Sequence, residues 1–188
     1  NLLAQCNRTR EAIAAAHAAS LLLPQEFSMK LKEAFLFPIL YESTKEVDHY
    51  RRRFTEGLRK LSGDLRLDTQ GEKSRALSAI GGHVNVHLGY QGRNDRELQV
   101  QYGEMVHRIM AANYPQWTVP VPVPPVRPDG ALRVGYISSR FRNLSATKYF
   151  LGWLREHKQG EFAIYAYHVG RKTDATTGEV RRASRYFR

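Results

Sequence analysis

Apolar residues return every three or four positions through the first two thirds of this chain, the period of helices with one buried face. Arg10 to Pro24 (REAIAAAHAASLLLP) is rich in alanine, the best helix former. Ile13, Ala16, His17, Ser20 and Leu21 fall at helical spacing there, and Pro24 is the stop. Glu26 to Phe37 carries Phe27, Leu31, Ala34 and Phe35 in register, and Phe37-Pro38 bends the chain after it. Ser43-Thr-Lys-Glu46 has the spacing of a capping box. It opens a helix in which Val47, Tyr50, Phe54, Leu58 and Leu61 repeat until Gly63. Gly71 to Ile80 predicts a short helix closed by Gly81-Gly82, and Tyr90 to Asp95 a turn whose Asn94 or Asp95 caps the next helix. In that helix Leu98, Tyr102, Met105, Val106, Ile109 and Met110 form the most regular stripe in the chain, which reads as core.

The interval then changes. Pro115 to Pro128 (PQWTVPVPVPPVRP) holds six of the eight prolines and predicts an extended, polyproline-like connector. Leu132 to Ser138 is a short apolar run that suits a buried strand. Thr147 to His157 returns to helical period, with Tyr149, Phe150, Trp153 and Leu154 on one face, and Gly160 breaks it. Phe162 to Val169 reads as a second strand, and Thr177 to Phe187 as a last helix with Val180, Ala183, Ser184 and Phe187 inward. Strand, helix, strand at this spacing is a βαβ unit. The fold class is therefore α plus α/β: a helical amino-terminal region followed by the first βαβ of a Rossmann-like lobe. Residues 1–24 read as the end of a helical repeat, because Glu11 to Pro24 matches the second helix of a tetratricopeptide repeat, with its small residue at Ala19 and closing proline. Residues 25–114 are intervening helices, 115–130 the connector and 131–188 the incomplete α/β portion. A lone half-repeat cannot bury its face, and two strands make a marginal sheet, so the chain reads as a piece of a longer polypeptide.

Charge sharpens the division. The formal net charge is +11, and from Asp129 onward twelve Lys or Arg stand against five acids, leaving seventeen against thirteen in the other 128 residues. A basic field of this kind attracts nucleic acid, acidic protein or phosphorylated ligands alike. Arg51, Arg52 and Arg53 read as a solvated helix face. The single cysteine, Cys6, rules out an internal disulfide and reads as a small buried residue near a helix end. The longest apolar run, Ala34 to Tyr41, is too short to span a membrane, so a soluble, cytoplasmic protein is expected.

In a βαβ unit ligands lie at the carboxyl ends of the strands, which puts Ser138, Ser139, Arg140, Phe141, Arg142 and Asn143 at the mouth. Ser138 to Phe150 contains no glycine, and no Gly-Lys-Ser/Thr run occurs, which argues against a nicotinamide, flavin or ATP site on this strand. No cofactor is expected within the chain. His83 and His87 stand four apart but lack a third ligand, so no metal site is expected.

The order of parts resembles the SPINDLY-like protein O-linked N-acetylglucosamine transferases. The strongest match is LRVGYISSRFRN from Leu132, followed by Phe162 to Tyr167 (FAIYAY), with Arg93-Asn-Asp-Arg96 and Val106 to Trp117 before them. Pro-Ile-Leu-Tyr-Glu-Ser and Tyr-Arg-Arg-Arg-Phe resemble bacterial, particularly cyanobacterial, members. The resemblance implies a two-lobed glycosyltransferase of the GT-B type that moves a sugar from a UDP-sugar, commonly UDP-GlcNAc, to Ser or Thr of proteins, with inversion and no required metal. This chain would be its acceptor side, inactive in isolation, since the donor-binding residues belong to the second lobe. Partners would be acceptor proteins or peptides, with a homo-oligomer left open. Ser138, Ser139, Arg140, Asn143 and Lys148 become the expected cleft-lining residues, and Lys148 the candidate catalytic group. Members commonly read Ser-Ser-Asp-Phe-x-Asn-His after the first strand. Here the Asp position is Arg140, the His position is Leu144, and a second histidine position is Lys148. Leucine cannot accept a proton, so the same residues also support a non-catalytic scaffold that binds protein through the repeat helices. A basic nucleic-acid-binding module is the third reading.

Overall fold

The computed structural model describes residues 2–123, 130–158 and 160–188, and the chain divides into two compact units, Asn1–Pro120 and Val121–Arg188. The first is helical. Its α-helices are α1 (Leu2–Gln5), α2 (Thr9–Leu22), α3 (Phe27–Phe35), α4 (Thr44–Asp64), α5 (Gln70–Gly81) and α6 (Arg96–Asn113), with 3-10 turns at Val86–Gln91 and Pro115–Trp117. α4 is the axis of its core. Tyr50, Phe54, Leu58 and Leu61, four of the five residues the heptad-like spacing picks out, are buried on one face. Phe54 is fully enclosed, 4.5 Å from the Phe35 ring and 5.4 Å from Phe37. α3 and α4 cross closely at Gly57, where a Cβ would stand 2.7 Å from that of Ala34. From α6, Leu98, Met105 and Ile109 complete the core, whereas Met110 lies exposed.

Caps fix the helix starts. The Ser43 hydroxyl accepts the Glu46 N–H at 3.3 Å, while the Glu46 carboxylate takes the N–H of Glu42, one residue before the cap. Thr69 and Glu72 form the full reciprocal box at α5, an arrangement whose Thr-x-x-Glu spacing was readable in the chain. The arginine triplet is not a uniform solvated face. Arg51 donates to Asp95 and to the Asn94 carbonyl, both at 2.5 Å, and Arg53 donates to the Ala34 and Leu36 carbonyls at the end of α3. Only Arg52 is exposed, so two of the three charges serve packing. Cys6, expected to be buried, is exposed in the α1–α2 turn. His83 to Asn85 are not helical, and the described residues contain no cluster of three or more metal-ligating side chains.

The second unit is a three-stranded parallel sheet with two helices, in the order β1 (Leu132–Ser138), α7 (Ser145–Arg155), β2 (Phe162–His168), α8 (Ala175–Ala183) and β3 (Tyr186–Phe187). β1 and β2 pair in parallel from Leu132 opposite Phe162 to Ser138 opposite His168. Val134 and Tyr136 alternate toward a core of Ile164, Ala166, Leu151, Leu154, Val180 and Phe141.

Three expectations need correction here. β1 is not buried but an edge strand, with Ile137 73% exposed. The inner face of α7 is Thr147, Leu151 and Leu154, while Tyr149, Phe150 and Trp153 are exposed. The final helix stops at Ala183, and Tyr186–Phe187 pairs with β2, because that strand's free edge offers hydrogen bonds that outweigh the residues' helical spacing. The proline-rich connector also begins differently: Pro115–Trp117 is a 3-10 turn, while residues 124–128 lie outside the described residues. Among the described residues no helix is long and apolar enough to cross a membrane.

Candidate functional site

The ends of β1 and β2 feed two loops, residues 139–144 and 169–174, which are knitted together by side chains from the helices that follow. Asp174 is the hub. One oxygen accepts the Asn143 N–H at 2.7 Å, and the other accepts the Thr177 N–H at 3.1 Å as the cap of α8. The Asn143 bond, with those from Thr177 and Thr176, outweighs desolvation and holds the Asp174 carboxyl below its usual range. Thr177, itself buried, accepts the Asp174 N–H at 3.0 Å and donates to the Phe141 carbonyl. Thr147, buried on α7, donates to the Arg140 carbonyl at 2.5 Å. Gly170 seats the second loop on the first: a Cβ there would overlap the Ser139 carbonyl. Phe141 is buried under this arrangement, so the loop has a packed floor and a polar rim.

Of the predicted residues, the structure brings Ser138 and Arg140 together. Both line a cavity of about 350 Å³ beside β1, walled by Tyr136, Ile137, Phe141, Phe150, Trp153 and Leu154. The Ser138 hydroxyl also accepts the Arg140 N–H at 3.0 Å, turning the chain out of the strand. Ser139, Asn143 and Lys148 are exposed on the same loop and the first turn of α7 but do not line that cavity. Leu144 is the N-cap residue of α7 and makes no side-chain cap, which leaves the first-turn amides of the helix without that acceptor. Arg142 has a buried Nε without a partner among the described residues.

Sequence reasoning missed Asp174, Thr177, Thr147 and His168. The Asp174-x-x-Thr177 spacing is itself a cap signal, and it places the start of α8 two residues before the expected Thr177. Nothing local marked Thr147 or His168, whose partners lie on other segments.

No family model matches the chain, and no curated protein matches it. Among solved structures, a point mutant of the O-GlcNAc transferase of Thermobaculum terrenum aligns with 100% of this chain at 19% identity and a TM-score of 0.47. The chain spans 32% of the length of that structure's chain. At that score the likeness carries no weight of its own.

Proposed function

We propose that this chain is the acceptor-side portion of a protein O-GlcNAc-transferase-like glycosyltransferase, which moves a sugar from a UDP-sugar to Ser or Thr of proteins. The observation that carries the reading is the Ser138 to Asn143 loop. It leaves the carboxyl end of a strand paired in parallel with its neighbour, and Ser138 and Arg140 border a cavity there. In this reading residues 131–188 begin a Rossmann-like amino-terminal lobe of GT-B type, and the helices before them carry acceptor proteins, in the cytoplasm. Arg140 would meet an acidic acceptor or a phosphate as a charged donor. Lys148, exposed one turn into α7, is the group able to replace the missing histidine as a cationic stabiliser. The donor, UDP-GlcNAc, and its binding residues would lie elsewhere.

A second reading is favoured by Leu144, an apolar residue at the uncapped start of α7. With no proton acceptor there, the protein would be a scaffold that binds partners without turnover. The nucleic-acid reading is the weakest, since Arg51 and Arg53 are engaged within the fold. The protein expressed from its complete coding sequence, incubated with radiolabelled UDP-GlcNAc and cell-extract proteins, separates them. Transfer that survives Leu144→Ala and is lost with Lys148→Ala supports the enzyme. No turnover with any UDP-sugar defeats it in favour of the scaffold.

A further inference from the structure

His168 ends β2 with both ring nitrogens against main-chain oxygens of different segments. Nδ1 lies 3.2 Å from the Ser138 carbonyl at the end of β1, and Nε2 lies 3.0 Å from the Lys172 carbonyl in the following loop. A carbonyl oxygen only accepts, and a neutral imidazole has one N–H and one lone pair. Either neutral tautomer therefore aims a lone pair at an oxygen, and the imidazolium alone donates to both. The ring is fixed from other directions as well. It lies 6.1 Å from the Phe141 ring and 6.3 Å from Phe187, and the His168 N–H donates to the Arg188 main-chain oxygen at 2.6 Å.

We infer that His168 is a proton-dependent latch that holds the loop of residues 169–174 onto the end of β1 and thereby sets the shape of the candidate site. The charged groups on the elements around it are mostly cationic: Arg140 and Arg142 in the first loop, Arg171 and Lys172 in its own, Arg181 over the Phe187 ring at 4.9 Å, and Arg188 after β3. The one carboxylate in these loops, Asp174, already accepts the Asn143 and Thr177 amides. Only the imidazolium donates to both carbonyls, so protonation and the closed loop are coupled. When the proton leaves, one contact opens. The Ser138 carbonyl keeps the Val169 N–H at 3.1 Å, whereas among the described residues no other donor reaches the Lys172 carbonyl. Histidine as a side-chain type changes charge nearest neutrality, so the experiment spans the interval from about pH 5 to 8. The inference does not depend on the transferase reading, since it concerns only the seating of two loops.

The test is amide hydrogen exchange of Val169, which donates to the Ser138 carbonyl, and of Asn143, which donates to Asp174, in the 188-residue chain, corrected for intrinsic rates, alongside an NMR titration of the His168 ring nitrogens. Protection is expected to fall about tenfold or more as pH rises through the ring's titration, the scale of a hydrogen bond to a charged group. His168→Phe keeps an aromatic ring between Phe141 and Phe187 and should show low protection at every pH. Gly170→Ala, whose Cβ would overlap the Ser139 carbonyl and stand 2.8 Å from the His168 ring, displaces loop and ring together and supplies an open-loop reference. Protection that stays flat while the ring titrates, or a ring with a single protonated nitrogen at both ends of the interval, overturns the latch in the unmodified chain whatever the variants do.

Discussion

The two units solve the burial problem differently. In the helical unit α3, α4, α5 and α6 each bury an apolar face in one core, in which Phe54 and Leu58 are fully enclosed, although Leu21 and Leu22 of α2 are exposed. In the α/β unit the core is one-sided: Val134, Tyr136, Ile164 and Ala166 meet Leu151, Leu154 and Val180. Meanwhile Ile137, Tyr149 and Trp153 are 73%, 80% and 62% exposed. What this smaller core lacks in buried area is offset by polar ties at the strand ends, through Asp174, Thr177 and Thr147. The helical unit has the larger apolar core, and the α/β unit adds directed hydrogen bonds at its strand ends to a smaller one. That is the division expected where loops must keep a set shape and still face solvent.

The largest effect should come from volume. Phe54→Ala removes a fully buried ring stacked among Phe35 and Phe37 and is expected to cost about 3–5 kcal/mol. Hydrogen exchange of the α4 amides measures it; β2 amides should not move. A cost near zero would mean that the helical core collapses around the gap and is not closely packed. The reverse experiment is Thr177→Val, which conserves volume and leaves the Phe141 carbonyl and the Asp174 N–H without their partner. About 1–3 kcal/mol should be lost, and here the β2 amides carry the change while those of α4 stay put.

Mild acid should also tell the units apart. Burial lowers the pKa of His83, which lies 5.2 Å from the Phe35 ring and bonds Asn85 at 2.6 Å. The unfolded chain then binds the proton more readily than the folded one. Stability linked to His83 is full above the ordinary histidine value and is lost as pH falls toward the lowered one. Asp174 acts in the same direction but later: its lowered carboxyl loses its stabilising bonds only below the ordinary carboxylate range. Between pH 7 and 5 the helical unit should therefore soften while the Asp174 ties hold. His83→Phe should flatten the helical unit's pH response, and an unchanged slope in that variant would place the sensitivity elsewhere.

How far the chain's own pattern anticipated these contrasts depends on whether a signal was local. Tyr50, Phe54, Leu58 and Leu61 were legible because helical period and burial coincide along one helix, and the bounds of β1 are those expected for Leu132 to Ser138. β3 was not legible, because two residues have no period and Tyr186–Phe187 is a strand only by virtue of β2 beside it. Periodicity also marks which residues are apolar and not whether a neighbour covers them, so Tyr149, Phe150 and Trp153 looked like core. At the site, Ser138 and Arg140 followed from the strand end alone. Gly170, His168 and Thr147 act across segments, and their partners are fixed by the register of two parallel strands.

The smallest effect addresses the start of α7. Leu144 has the extended backbone of an N-cap, φ −134° and ψ 153°, but no oxygen with which to accept an amide of the first turn of α7. Leu144→Asp supplies that oxygen and places a negative charge at the positive end of the helix, with Arg140, Arg142 and Lys148 close in sequence. A gain of about 0.5–1 kcal/mol in the α/β unit is expected, read from the exchange of α7 amides. Should stability instead fall, Leu144 contributes more through packing than an acceptor would through capping. A gain would show the opposite: the helix start lacks a cap that the packing of Leu144 does not offset.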